Sequence, residues 1–566
     1  MYVKVTTTRA GNKTYRYLSL VESYREGAKV RQRTVARLGE ATAMAASGEL
    51  ANIVAGLQSH LGGGVGELSA EAAPSFGGMA AVAAYFERLG LDELFKTIGR
   101  SRKTRHLAST VLVMVANRLL LASSKRRLVT DWLGQDVALP DGVAAPSLDQ
   151  CYRALDAVCA AKEDIEAHCY RTVCDLTNLD LRLCCYDLTS TYLEGDPRPS
   201  ARFCSKAFGY SRDHRPDRPQ VVIGLLVTGD GVPISHYVFA GNTTDISTLP
   251  EVLNDLQHRF GVAKIALVAD RGLISGANLA AVAQAGFDHV IATRLHRDPT
   301  VRAVLEAASQ PAAKWLDITS PDCSATEVTH EGRRYVVVCS PERKARDDAR
   351  REQLLERTEE RLAALAERVS SGRLKDPAKI SLAADRILRG SPVGRFFVTH
   401  LGQGSFVWDF DSDALAYEQD LLAGRYVVST SLSAQQASTA DVVRHYRSLE
   451  RVERRFRVLK DFLGLRPIYH FTEARVRGHI AICVLASVIE AVMGRDLTTA
   501  GITDPDITEQ ACSPRRALRE LSRIRSVTLN ANDGSTRRVI TRPTPLQASI
   551  LSAFKVDTRN WASRLS

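Results

Sequence analysis

Two apolar runs that each end in an aspartate constrain this chain most. Leu181–Tyr186 leads into Asp187 (LRLCCYDLTSTY), and residues 265–269 lead into Asp270 (KIALVADRG). Short apolar runs bounded by turn-forming residues read as buried strands. A carboxylate at the end of such a strand is costly to desolvate unless something uses it. Taken singly, each aspartate also fits a helix N-cap or a turn. Two of them on neighbouring strands of one sheet favour a shared role.

The elements around these runs follow the order β-β-β-α-β-α-β. Residues 221–228 and 233–239 read as a hairpin across Gly229-Asp230-Gly231, a strong turn signal. A helix is expected at 247–259, another at 277–285 and a strand at 289–293. This is the order of a ribonuclease-H-like mixed sheet with flanking helices, so the expected class is α/β. Residues 300–424 break the rhythm with short strands (335–339, 396–400, 405–408) and a charged helix near 342–369. Leu355, Leu362, Leu365 and Val369 give that helix one apolar stripe. The segment reads as a β-rich and helical insertion, after which a strand at 426–430 resumes the sheet.

The remaining chain divides by pattern. Residues 1–40 alternate as strands, with Gly11-Asn12 as a turn, and residues 1–60 read as an N-terminal β-meander domain. Residues 61–78 are rich in Gly, Ala and Ser and read as a linker. Residues 79–175 are helical and expected to bind DNA. There Ser124 would cap a helix whose first turn is Lys125-Arg126-Arg127. A DNA-docking helix-turn-helix and the solvated start of a bundle helix are both open readings of it. The core is expected at 176–299 and again at 425–495, with a basic C-terminal region at 496–566.

A third carboxylate lies on a long helix expected at 441–462. Its apolar stripe is Leu449, Val452, Phe456, Leu459 and Leu463. Tyr446, Glu453 and Lys460 are seven apart and, at about 100° per residue, form a second stripe beside it. Glu450 is explained by an i,i+4 pair with Arg454; Glu453, flanking the apolar seam, is not. Asp187, Asp270 and Glu453 are hard-oxygen donors that suit Mg2+ or Mn2+ rather than zinc. Two such ions can clamp the attacking and leaving oxygens of a phosphoryl transfer. Asp245 reads as an N-cap rather than a ligand.

With 566 residues the chain exceeds one compact core, and its net charge of +11 points to a polyanionic partner, nucleic acid before membrane. No Walker loop, H-E-x-x-H or G-x-S-x-G stands out, which argues against ATP use, zinc proteolysis and serine hydrolysis. No two of the eleven cysteines form a C-x-x-C pair, so free thiols in a reducing cytoplasm are expected. No signal peptide is expected at the start. The apolar stretches at 107–122 and 480–493 read as core helices too short to span a bilayer.

The helix resembles the Y-x2-R-x3-E-x6-K signature of bacterial insertion-sequence transposases. Tyr446, Glu453 and Lys460 match in register, while Leu449 holds the Arg position between Arg447 and Arg451. The segments beginning at Asp187, Gly241-Asn242-x-x-Asp245, Ala269-Asp270-Arg271-Gly272 and Arg466-Pro467-Ile468-Tyr469-His470 are similar to the same group. The closest resemblance is to the insertion-sequence-1634 group of the insertion-sequence-4 superfamily. It implies a DDE transposase that acts by cut-and-paste through two Mg2+ (or Mn2+) held by Asp187, Asp270 and Glu453. It further implies a homodimer on paired ends, with terminal inverted repeats and target DNA as partners, no membrane, and a cytoplasmic, nucleoid-associated location. Tyr446, Lys460, Arg451, Arg454 and Arg457 are the expected DNA contacts. A non-catalytic DNA-binding derivative and a plain metal-dependent nuclease are the competing expectations.

Overall fold

The apolar runs after residue 180 form strands in the computed structural model, which describes residues 2–10, 13–26, 29–60, 69–102, 104–177, 182–195, 203, 205–273, 275–293, 298–319, 322–402, 404–504, 506, 510–530 and 536–558. The turn expected at Gly11-Asn12 and the linker residues 61–68 lie outside these. The chain divides into two units. One comprises Met1–Asp180, Asp187–Thr244 and Arg451–Ser566, the other Leu181–Tyr186 and Asp245–Glu450.

The second unit carries most of a mixed sheet. Its strands run in the order Leu316–Thr319, Asp322–His330, Arg333–Cys339, Arg425–Thr430, Asp288–Ala292, Ala266–Ala269 and the first half of Leu183–Tyr192. The last three pair in parallel and the others antiparallel. Every residue of Ala266–Ala269 is buried, as a parallel strand covered on both faces requires. Helices Leu249–His258 and Gly276–Gln284 flank this strand in the chain. Mixed α/β architecture is therefore present, as expected.

The expected interruption at 300–424 is narrower than its sequence pattern suggests. Asp322–His330 and Arg333–Cys339 extend the sheet, because Tyr335–Val338 are buried and pair with Arg425–Thr430. What departs from the sheet begins with helix Pro341–Ser370. Its Leu362, Leu365 and Val369 share a core with Ile380, Phe396, Phe397 and Phe406.

In the first unit, Tyr2–Ala10, Lys13–Glu26 and Lys29–Glu40 form the antiparallel meander. The expected linker does not stay irregular through residue 78. Ser69–Ala72 pairs with Ser526–Asn530, and helix Gly77–Arg88 begins within it. Gly77 serves close packing there, since a Cβ on it would stand 2.5 Å from the Leu521 carbonyl oxygen. Lys125, exposed to DNA or to solvent in either of the two open readings of its turn, is instead buried, and burial lowers its ionisation to about 7. Its neighbours Arg126 and Arg127 are exposed. Gln220–Thr228 and Pro233–Ala240 form the expected hairpin.

Helix Glu473–Thr499 is longer than its apolar centre implied and is long and apolar enough to cross a membrane, yet 83% of its most apolar window is buried inside the protein. Its charged ends are satisfied: Glu473 accepts from Ser205, and Asp496 pairs with Arg88. Gly478 lies inside this helix, where a Cβ would meet the Leu155 carbonyl oxygen at 2.1 Å. Gly478→Ala should therefore destabilise by about 1–3 kcal/mol through overpacking, although helix propensity alone favours alanine. A thermal unfolding midpoint equal to or above that of wild type would refute the close approach.

Candidate functional site

In the second unit, Tyr186 lies in parallel register with Ala269. The next residue of one strand is Asp270, and the next residue of the other is Asp187. Asp270 is half-buried and leads into the turn Arg271–Leu273, where the Leu273 amide donates to the Asp270 carbonyl at 3.0 Å. A Cβ on Gly272 would come within 3.1 Å of Asp245 Oδ2, so these two motifs meet closely there. Asp245 opens a short 3-10 turn, Asp245–Thr248, instead of capping helix Leu249–His258. The residue at that cap, Thr248, makes no side-chain capping bond.

Tyr446 sits near the end of helix Thr439–Arg447, which starts at a reciprocal Ser438/Asp441 capping box. Its ring packs 5.5 Å from that of Tyr426, and Arg343 lies over Tyr426 at 5.4 Å. Burial and then the negative charge of Asp270 raise the ionisation of the Tyr446 phenol above its ordinary value. Tyr446 is thus a neutral hydroxyl within electrostatic reach of Asp270.

The single helix expected at 441–462 is segmented. Thr439–Arg447 and Leu449–Arg457 are α-helical, Ser448 intervenes, and Val458–Phe462 winds as a wider π-helical turn. Ser448 Oγ donates to the His445 carbonyl at 2.5 Å and lies 3.0 Å from Cys185 Sγ. Such bonding back to the preceding turn bends helices. The even heptad spacing of Tyr446, Glu453 and Lys460 therefore does not carry through as one straight stripe.

The first unit holds the other expected residues. Asp187 is half-buried and Glu453 is exposed beside buried Val452 and Phe456. Lys460 Nζ donates to Asp213 Oδ1 at 2.7 Å, and the Arg466 guanidinium reaches the same oxygen. Arg118, buried, donates to the carbonyls of Leu463 and Gly464 at 3.3 and 3.0 Å and so closes the end of the π-helical turn. Arg451 reaches Asp230 at 3.6 Å, while Arg454 and Arg457 are exposed. Asp213 lies in a basic loop, residues 206–218 (KAFGYSRDHRPDR). The available signal was an acid amid cations there.

The three carboxylates are divided, Asp187 and Glu453 in one unit and Asp270 in the other. Among the described residues, no group of three His, Cys, Asp or Glu side chains stands ready to hold a metal ion. The donor chemistry of the three acids, all hard oxygen, nevertheless fits a divalent cation. For Tyr446, an ultraviolet difference titration provides a check. Tyr446→Phe should remove none of the tyrosinate signal that develops up to about pH 11, since an ordinary phenol ionises near 10. A signal lost below that pH would place Tyr446 in an ordinary environment.

Residues 3–69 match the family model described as the IS1634 family transposase, N-terminal domain. Residues 180–489 match the model described as the transposase DDE domain, which covers more than half of the 566 residues. None of the curated proteins compared matches the chain. The first match takes in the meander and the second the sheet that carries the aspartates, and the chain belongs to the DDE transposases of the IS1634 family.

Proposed function

We propose that this chain binds transposon ends and catalyses DNA strand cleavage and strand transfer by in-line phosphoryl transfer. In this reading Asp187, Asp270 and Glu453 converge to hold two divalent metal ions, Mg2+ or Mn2+. One observation carries it: Tyr186 and Ala269 are in parallel register, and an aspartate follows each. Two carboxylates at equivalent points of adjacent buried strands are costly unless used. DDE transposase domains are metal-dependent, which agrees with an all-oxygen donor set. Bound ions would activate the attacking hydroxyl and stabilise the departing 3′-oxygen.

The chain's own residues do the rest. Tyr446, kept neutral beside Asp270, offers a hydroxyl donor to DNA phosphate. Arg454 and Arg457, both exposed, and Arg451, which is only loosely held by Asp230, supply backbone contacts. Contacts of this kind set register on the duplex without reading sequence. The partners would be terminal inverted repeats and target DNA, engaged by a homodimer in the synaptic complex.

Asp187→Ala, Asp270→Ala and Glu453→Ala should each abolish cleavage of end-bearing DNA while leaving binding intact. Glu450→Ala, on the same helical segment, should cost little. Full cleavage by Glu453→Ala would reject the assignment, and end binding without any cleavage by wild type would favour a non-catalytic derivative.

Binding itself should be strongly salt-dependent. With about 6–10 phosphate contacts, affinity falls roughly 10³- to 10⁵-fold between about 50 and 200 mM salt. An affinity independent of salt would remove the phosphate contacts from the account. Equal cleavage of cognate ends and unrelated duplex would favour a general nuclease.

A further inference from the structure

We propose that Asp213 is a positioning residue that holds Lys460 and Arg466 side by side as a single phosphate-binding pair. The proposal rests on the transposase reading above and assigns a role to a residue outside its three acids. The Asp213 side chain is 2% exposed, against 11% for Lys460 and 29% for Arg466. Both cations bind one oxygen, Oδ1, and the other, Oδ2, is buried with no hydrogen-bond partner.

That arrangement is expensive. A desolvated carboxylate normally fills its acceptors, and two cations placed together repel unless an acid lies between them. Sharing one carboxylate lets an ammonium and a guanidinium stand together and leaves a net charge of +1, the complement of one DNA phosphodiester. Arg466 also touches Asp461 at 3.2 Å, but Asp461 is largely exposed, so this second contact screens little.

The placement suits the reaction. Lys460 follows Glu453 on the same run of helical chain, in the π-helical turn. Arg212, next to Asp213, donates its amide to Ser190 Oγ at 2.9 Å, and Ser190 lies on the strand that begins with Leu183 and contains Asp187. The loop bearing Asp213 is thus fastened to the strand of one expected acid, and its carboxylate to the helix of another. Lys460 is faced by Asp213, Arg466 and Arg212. Burial lowers its ionisation, and Asp213 opposes that shift.

The test uses the full chain. Asp213→Asn keeps the shape and removes the charge. Lys460 then meets only burial and two arginines, so it should lose its proton at lower pH. Cleavage of a cognate end should fall about ten- to a hundredfold near neutral pH. The alkaline decline of end binding should move down by at least about one pH unit. In a Lys460→Met background the same substitution should leave the pH profile where it was. A merely structural role would lower stability without moving that profile. Wild type that cleaves ends, with Asp213→Asn matching it in rate and pH profile, overturns the role of Asp213 alone. Wild type that cleaves no end overturns the transposase reading, and the proposal with it. Should Asp213→Asn not fold, the pair Asp213→Asn with Lys460→Met, which removes one charge of each sign, replaces it. A loss no greater than that of Lys460→Met alone supports the shared pair, and a loss clearly greater than that of Lys460→Met overturns it.

Discussion

The parallel pairing of Leu183–Tyr186 with Ala266–Ala269 is the constraint on which the proposed chemistry of this chain depends. Parallel strands cannot be joined by a tight turn, so the chain between them must travel away and return. It does so through the hairpin Gln220–Thr228/Pro233–Ala240 and helix Leu249–His258. A one-residue slip in that pairing would send every side chain of one strand to the opposite face. The buried Val268 and Leu267, and Cys184 and Cys185 opposite them, make such a slip costly. An aspartate that follows each strand inherits its position from this apolar register.

A second constraint acts on the glutamate helix. Ser448 bonds back to His445, and the chain re-forms as Leu449–Arg457 before widening into the turn Val458–Phe462. Wider turns of this kind occur frequently at functional sites because they re-aim side chains without ending the helix. Here the turn presents Lys460 to Asp213, and Arg118 satisfies the carbonyls left at its end. The lysine is consequently set by a long-range ion pair as much as by its helix.

What was legible in the sequence follows from locality. The strands before Asp187 and Asp270, the hairpin across Gly229-Asp230-Gly231 and the helical stretch around Glu453 are each encoded within a dozen residues, as apolar runs, a glycine turn and a stripe. The family motif around Glu453 was equally local. Other features depend on distant partners and were not legible. Gly77 resembles a linker glycine until Leu521 is seen against it. Lys125 reads as a basic surface residue, yet the surrounding helices bury it. Arg333–Cys339 reads as part of an insertion until Arg425–Thr430 pairs with it. The break at Ser448 has no sequence signal stronger than a serine in mid-helix, a residue helices usually tolerate.

Charge obeys the same division between local and distant causes. The net charge of +11 suggests a uniformly basic surface, but several largely buried cations are individually matched by acids, whereas Lys125, buried near Arg118, is held closer to neutrality instead. Arg455 pairs with Glu490, Arg88 with Asp496 and Lys460 with Asp213. A buried charge without a partner would be too costly to retain, so these groups contribute little long-range field. The field that draws in a polyanion comes from exposed residues such as Arg454 and Arg457, which directly follow Glu453 and Phe456 in the helix. Exposed cations attract DNA at a distance but fix nothing, because their side chains are mobile and screened by salt. Held cations do the reverse. An end recruited by the first kind and seated by the second would be attracted without precision and then placed without further cost in side-chain entropy. Such a division of labour requires an acid to be buried beside the held pair.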